Sequence, residues 1–413
     1  MEHMTSQLST PHVVDGLRLP RPFQVRRLGH FGMNVASVAQ SMDFYGRLLG
    51  FEISDELDFG PRVPEALKAQ VGPSLGYFMR HGTDHHSFVL FPQAAMHASN
   101  PHYLAHPHLN LNQLTWQVSS LREVAHGLAW FESLDSRVLR SGRDTPGSNW
   151  HIYPVDPEGH INELYYGIEQ IGWSGHSKPM SMHGIRYTQP PQLPHRSEFA
   201  EVNQAMAQGV VLTSGYRRDD RLAETFDVGG ILLPRPFKIT KVGPVRLLVR
   251  DVDAVLQFYI HALGLSLTEQ ADVLGHTCYF LRTNTEHHAL AIYPEALRGP
   301  LGITHSRSLL GFGVQLGSYA QLRAAVSFMG QAGYQPVDMP ASLSPGLGHH
   351  VWLQDPDGNA VQLFWEMEQI GWNGLPRPAA ERRVWPHNPS DWPEHIDALP
   401  DSFMGEVFLG PLN

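Results

Sequence analysis

The chain has 413 residues, of which 42% are hydrophobic and 17% charged, and a formal net charge of −10. This composition excludes a disordered chain, and an acidic balance without a basic stripe argues against nucleic acid or an anionic membrane as partner. One cysteine, Cys278, leaves no internal disulfide and argues against thiolate metal sites, so the 25 histidines are the side chains to follow.

The N-terminal stretch "MEHMTSQLSTPHVVDG" has no signal-peptide core and no apolar run reaches membrane-span length, so a cytoplasmic protein is expected. The first strand is expected in "LPRPFQVRRLGHFGMNV" (19–35), whose "GHFGMNV" alternates. Ser37 with Gln40 has the capping-box pattern, Val38, Met42, Tyr45 and Leu49 share one helical face, and Gly50 ends the helix. Two or three strands follow, ending in "HSFVLFP". The pattern then restarts with strand "NQLTWQV", helix "LREVAHGLAWFES" and strands ending in "INELYYG".

The whole sequence then repeats. "LPRPFKITKVGPVRLLV" (233–249) aligns with 19–35 without a gap, at an offset of 214. "DFYGRLLGF" answers "QFYIHALGL" at the same offset. "YFMRHGTDHHSFVLFP" answers "YFLRTNTEHHALAIYP" at offset 202, and "DPEGHINELYYGIEQIGWSG" answers "DPDGNAVQLFWEMEQIGWNG" at offset 199. Drifting offsets mean loop insertions between aligned elements. "DPEG" and "DPDG" are tight turns joining the last two strands. The expected organisation is an N-terminal extension (1–18), a first domain (19–175), a Pro-rich polar linker (176–230), a second domain (231–375) and a tail (376–413) whose Trp and Pro residues suggest an ordered strap. Each domain reads as two βαβββ units forming a curved sheet around a cleft, an α+β fold. The copies differ at one conspicuous place: His30 in the first stands opposite Pro244 in the second.

Two βαβββ units per domain, two domains and these motifs resemble the vicinal oxygen chelate superfamily, and most of all its two-domain type I extradiol ring-cleaving dioxygenases. The resemblance covers residues 24–175 and 238–374. It implies a metal in one cleft, held by a facial set of two histidines and a glutamate, with the second domain lacking ligands. His30 and Glu163 fall at two ligand positions, and Gln362 answers Glu163 in the second copy. The middle position is Gln113 where the family typically has His. His151 is a possible substitute, although His350 at the same place in the second copy favours a structural role. Tyr153 matches the family's active-site tyrosine. The pair His85 and His86 resembles the motif with the acid–base histidine; alternation lets one face the cleft, and motif alignment favours His85. Asn34, four residues after His30, is expected to line the cleft, and Asp144 lies where a further active-site histidine is common. The resemblance implies Fe(II), with Mn(II) or another divalent metal as options, a small aromatic substrate with O2, and assembly into homo-oligomers. It also leaves open a glyoxalase- or epimerase-like lyase or isomerase working through an enediolate, which Gln113 favours, and a metal-free small-molecule-binding protein.

Overall fold

The computed structural model describes residues 11–143, 146–147, 149–172, 174–183, 187–217, 222–371, 373–382 and 385–396. A short hairpin, β1 (His12–Val14) and β2 (Leu17–Leu19), leads into β3 (Arg27–Val35). Ser37 caps the next helix by accepting from Gln40 N, and the helix Val38–Ser41 widens into a π-type stretch, Met42–Leu49. Gly50 closes it at φ 102°, a left-handed conformation that favours glycine. β4 (Glu52–Asp58), β5 (Leu75–Arg80) and β6 (Phe88–Pro92) complete one unit. The second unit has β7 (Leu111–Gln117), helix Leu121–Ser133, β8 (Val138–Gly142), β9 (Trp150–Pro154) and β10 (Asn162–Tyr166). The strands form one sheet in the order β4-β5-β6-β3-β7-β10-β9-β8, so the first strands of the two units, β3 and β7, lie side by side at its centre.

After a linker with helix Glu198–Ala207 and the hairpin β11 (Phe226–Val228) and β12 (Ile231–Leu233), the plan recurs. β13 (Ile239–Val249), β14 (Ser266–Val273), β15 (His276–Arg282), β16 (Leu290–Pro294), β17 (Leu309–Leu316), β18 (His350–Gln354) and β19 (Ala360–Phe364) give the order β14-β15-β16-β13-β17-β19-β18. The counterpart of β8 in the last unit shrinks to a single bridge, Val337 to Trp352, because Pro336 and Pro340 flank it and donate no N–H.

One apolar core runs through both halves, with Phe31 and Phe312 rings 4.7 Å apart. The halves clasp reciprocally. Tyr45 Oη donates to Asp355 (2.6 Å), and Tyr259 Oη donates to Asp156 (3.1 Å). Each acceptor begins a "DPxG" turn, whose backbone N–H groups the same aspartate binds, as with Glu158 N and His160 N on Asp156. Arg235 crosses to donate to the carbonyls of Gly46 and Arg47. The tail lies on the second half: Trp392 is buried, and Tyr319 Oη and Arg323 donate to the carbonyls of Pro393 and Glu394.

Candidate metal centre and its cavity

The central strands deliver the site. The register between β3 and β7 shifts between Leu28 and Phe31, leaving two residues of β3, Gly29 and His30, opposite the single Thr115 of β7. Thr115 stitches this bulge: its Oγ1 accepts from His30 N (2.7 Å) and donates to His30 O (2.6 Å). A second shift, between Gly32 and Met33, places Asn112 as the extra residue on β7, and both Asn112 and Gln113 then line the cavity. β10 runs parallel to β7 and brings Glu163 opposite Thr115.

Glu163 is the hub. Its Oε2 lies 3.3 Å from His30 Nε2 and accepts from Gln113 Nε2 (3.2 Å). Its Oε1 accepts from Asn149 and lies 3.6 Å from His151 Nδ1. Burial opposes ionisation of Glu163, but the neighbouring His30 and His151 imidazoles and the Tyr153 hydroxyl outweigh it and hold the carboxyl below its ordinary value. The site therefore contains a fully buried anion.

This donor set suits a divalent cation. His30 is 1% exposed, and neither ring nitrogen has a hydrogen-bond partner, although Nε2 faces Glu163. The 3.3 Å separation of His30 Nε2 and Glu163 Oε2 is close to the roughly 3 Å that neighbouring ligands keep around a cation with bonds of about 2.1 Å. Gln113 offers its carbonyl oxygen once the amide turns over. Among the described residues, no group of three or more His, Cys, Asp or Glu is disposed to hold a metal. His151 stands at the other carboxylate oxygen, Oε1, while the Gln113 amide shares Oε2 with His30.

The histidine pair divides differently from the expectation. His86, not His85, lines the cavity, with its ring centroid 4.2 Å from that of His30. His85 sits behind, with Nδ1 3.0 Å from His86 Nδ1 and Nε2 3.3 Å from Asp55. The pair precedes β6, so strand alternation does not orient it. Gly147 at φ 95° packs on both rings, where a Cβ would lie 2.9 Å from His86. Burial, then His30 and His85, push His86 well below its usual pKa, so the ring is neutral.

Tyr153 lines the cavity, with its ring edge-to-face at 4.6 Å with His151 and covered at 4.3 Å by the Arg140 guanidinium. Asn34 does not line it, contrary to expectation. The bulged Asn112 fills the intervening space, and its Nδ2 donates to Asn34 Oδ1 (2.8 Å). Asp144 lies outside the described residues. Sequence reading missed Asn112, which the bulge conceals, and Asn149, which the alternation 149-151-153 along β9 could have exposed.

Among the described residues, the second half has no counterpart of this centre. Arg246, aligned with Gly32, is fully buried and donates to Gln362 Oε1, with its guanidinium 4.7 Å over Trp352. The histidine pair persists, with His287 and His288 Nδ1 atoms 3.0 Å apart, but there Glu269 backs His287 and is itself braced by Arg382 of the tail.

The first-half cavity measures about 390 Å³ and has apolar walls from Phe59, Phe78, Phe91, Met96 and Ile161. It holds one aromatic ring with a short substituent comfortably.

A model of the Glyoxalase/Bleomycin resistance protein/Dioxygenase superfamily matches residues 27–164 and 241–363. Metapyrocatechase 2 from Cupriavidus necator is 26% identical over 147 residues, 35% of this chain and 38% of that protein, so the match spans well under half of the relative. Two solved structures share the fold over most of the chain. The Mn(II)-bound glyoxalase from Novosphingobium aromaticivorans has a TM-score of 0.52 at 15% identity, covering 92% of this chain and 98% of that one. Homoprotocatechuate 2,3-dioxygenase from Arthrobacter globiformis has a TM-score of 0.52 at 14% identity, covering 89% and 85%. At these identities the structural likeness is one of fold.

Proposed function

We propose that this chain, which belongs to the Glyoxalase/Bleomycin resistance protein/Dioxygenase superfamily, is an extradiol-type dioxygenase that opens a catechol- or hydroquinone-like ring with O2 at a metal held by His30, Gln113 and Glu163. The observation that carries the reading is the grouping of His86 and Tyr153 with the His30–Glu163 pair inside one aromatic-walled cavity. When bound there, Fe(II), or Mn(II) in its place, supplies Lewis acidity that lowers the proton affinity of a diol, together with one-electron chemistry for O2.

The protein groups have separate tasks. Phe78 and Phe91 offer apolar surface to a flat ring and keep water away. His86 is neutral, and Nε2, the nitrogen its contact with His85 leaves over, accepts a hydroxyl proton from the substrate and returns it later. The His85–Asp55 contact fixes the orientation of His86 from behind. Tyr153 acts on Glu163 and steadies the carboxylate that carries the site's negative charge.

The test is oxygen uptake by protein loaded anaerobically with Fe(II) and given a panel of catechols and hydroquinones. Stoichiometric O2 consumption with a muconic-semialdehyde-type chromophore is expected. A second reading, a lyase or isomerase of glyoxalase type, is favoured by one observation: Gln113 supplies an amide where a second imidazole would suit redox iron better, and an oxygen-richer donor set suits a Lewis acid. No oxygen uptake with any diol, alongside isomerisation of a hemithioacetal by the Zn(II)-, Ni(II)- or Mn(II)-loaded protein, would select that reading.

A further inference from the structure

The cavity of the first half carries a charge pattern that ring cleavage alone does not require. Arg62, Arg137 and Arg140 all line it, and Glu163, the metal-facing carboxylate, is the one acid among its lining residues that are described. In a chain of net charge −10, three guanidinium groups around one 390 Å³ cavity are a local reversal of sign. The arginines are also positioned. Arg140 lies 4.3 Å over the ring of Tyr153, and Arg62 lies 5.1 Å over that of Phe59, so aromatic faces hold both guanidinium planes at the wall. The charge of Arg137 reaches His102, and that of Arg140 reaches Tyr103; both neighbours line the same cavity.

Surface arginines are common, and the bland explanation is a solvated rim. The internal duplication speaks against it. The stretch of the second half that matches Arg137–Arg140, residues 335–339, reads QPVDM and holds no arginine. Arg62 lies where the first half is 12 residues longer, as the offset falls from 214 to 202 between residues 51 and 77, and the second half makes a tight turn at Leu274–Gly275 instead. All three arginines are therefore present only in the half that also has His30 and Glu163.

We propose that the substrate bears an anionic arm, a carboxylate on a short chain, and that Arg62, Arg137 and Arg140 form the subsite that binds it while the ring reaches His30 and Glu163. The proposal rests on the ring-cleaving reading for the identity of the ring, and on the arginines for the arm. A guanidinium fork matches a carboxylate in two parallel hydrogen bonds, which fixes the ring's orientation as well as adding affinity. The cavity volume limits the substrate to one ring with a short arm.

The experiment compares 3-(3,4-dihydroxyphenyl)propionate with its methyl ester, which differ in charge but little in shape. Binding to the full-length protein is measured by calorimetry under argon, and oxygen uptake is measured separately with the Fe(II)-loaded protein. The acid is expected to bind about tenfold or more tightly than the ester, a preference that falls with rising salt. In the exposed-site triple variant Arg62→Gln/Arg137→Gln/Arg140→Gln, the preference should drop to about onefold. Equal affinity for acid and ester in the wild type, or a preference that survives in the triple variant, overturns the subsite; oxygen uptake with both compounds would leave the ring-cleaving reading standing. A charge preference with no oxygen uptake from either compound supports the subsite and removes the ring-cleaving reading. Binding of neither compound overturns both.

Discussion

Arg246 donates to Gln362 in the second half at the place where His30 faces Glu163 in the first. Arg246 lies two residues beyond Pro244, the counterpart of His30, so its side chain enters the same space. The second half thus fills its cleft with a covalently attached cation and an uncharged partner. Its counterpart Gly32 keeps the first cleft open, since a Cβ there would come within 2.5 Å of the Phe91 ring.

Arg246→Leu should lower stability by about 1–3 kcal/mol, because Gln362 Oε1 loses a buried donor. Adding Gln362→Leu should recover most of that loss, since an apolar pair in this space removes both the buried charge and its orphaned acceptor. Denaturant unfolding of the two variants measures the cycle, and turnover per folded molecule should remain at the wild-type level in both.

The reciprocal clasp should be additive. Tyr45→Phe and Tyr259→Phe each deprive a buried aspartate of one donor, at a cost of about 1–3 kcal/mol. They share no partner, so the double variant should show the sum to within about 0.5 kcal/mol. Equilibrium unfolding midpoints check this, and a strongly sub-additive double variant would mean that one clasp alone joins the halves.

Acid should loosen the second half through Glu269. Burial raises its pKa, but the hydrogen bonds from His287 and Arg382 outweigh that and bring it down to about 2, from an ordinary 4.5. Because the folded value is the lower one, the interaction contributes its full stability above the unfolded value and loses it as pH falls from about 4.5 toward about 2. The group is partly solvated, so the effect is screened. Urea midpoints between pH 2 and 6 should fall less steeply over that window for Glu269→Gln than for the wild type.

His86 and His85 should separate kinetically. His86→Phe removes the cavity-facing imidazole and should cut turnover of a bound diol by about a hundredfold or more while metal stays bound. His85→Phe acts only through orientation and should cost about tenfold or less. Rapid-mixing turnover with metal content measured on the same samples decides, and the reverse order would return the acid–base role to His85.

Much of the scaffold was legible because its signals are local and doubled. The Ser37 cap, the Gly50 stop and the "DPxG" turn recur in the second half as Asp251, Gly264 and a second "DPxG", and each forms the element expected. Parity arguments failed where the backbone leaves regular geometry. The bulge that adds Asn112 to the cavity and displaces Asn34 has no sequence mark, and the His85–His86 pair is oriented by a glycine 61 positions away in the chain, Gly147. Arg246 was invisible for a different reason. A fully buried arginine runs against every burial expectation, and only the tertiary placement beside Gln362 explains it.

The most direct test of the account is metal content in protein purified without oxygen, compared between the wild type and Glu163→Gln. The substitution gives the first half the amide of Gln362 without the guanidinium of Arg246, and it leaves one of the donors from Gln113 and Asn149 without an acceptor. The account predicts about one Fe or Mn per wild-type chain, essentially none in the variant, and a native circular dichroism spectrum in both. A wild-type chain that takes up no metal even on reconstitution, or a variant that keeps it in full, would contradict a metal centre built on His30, Gln113 and Glu163.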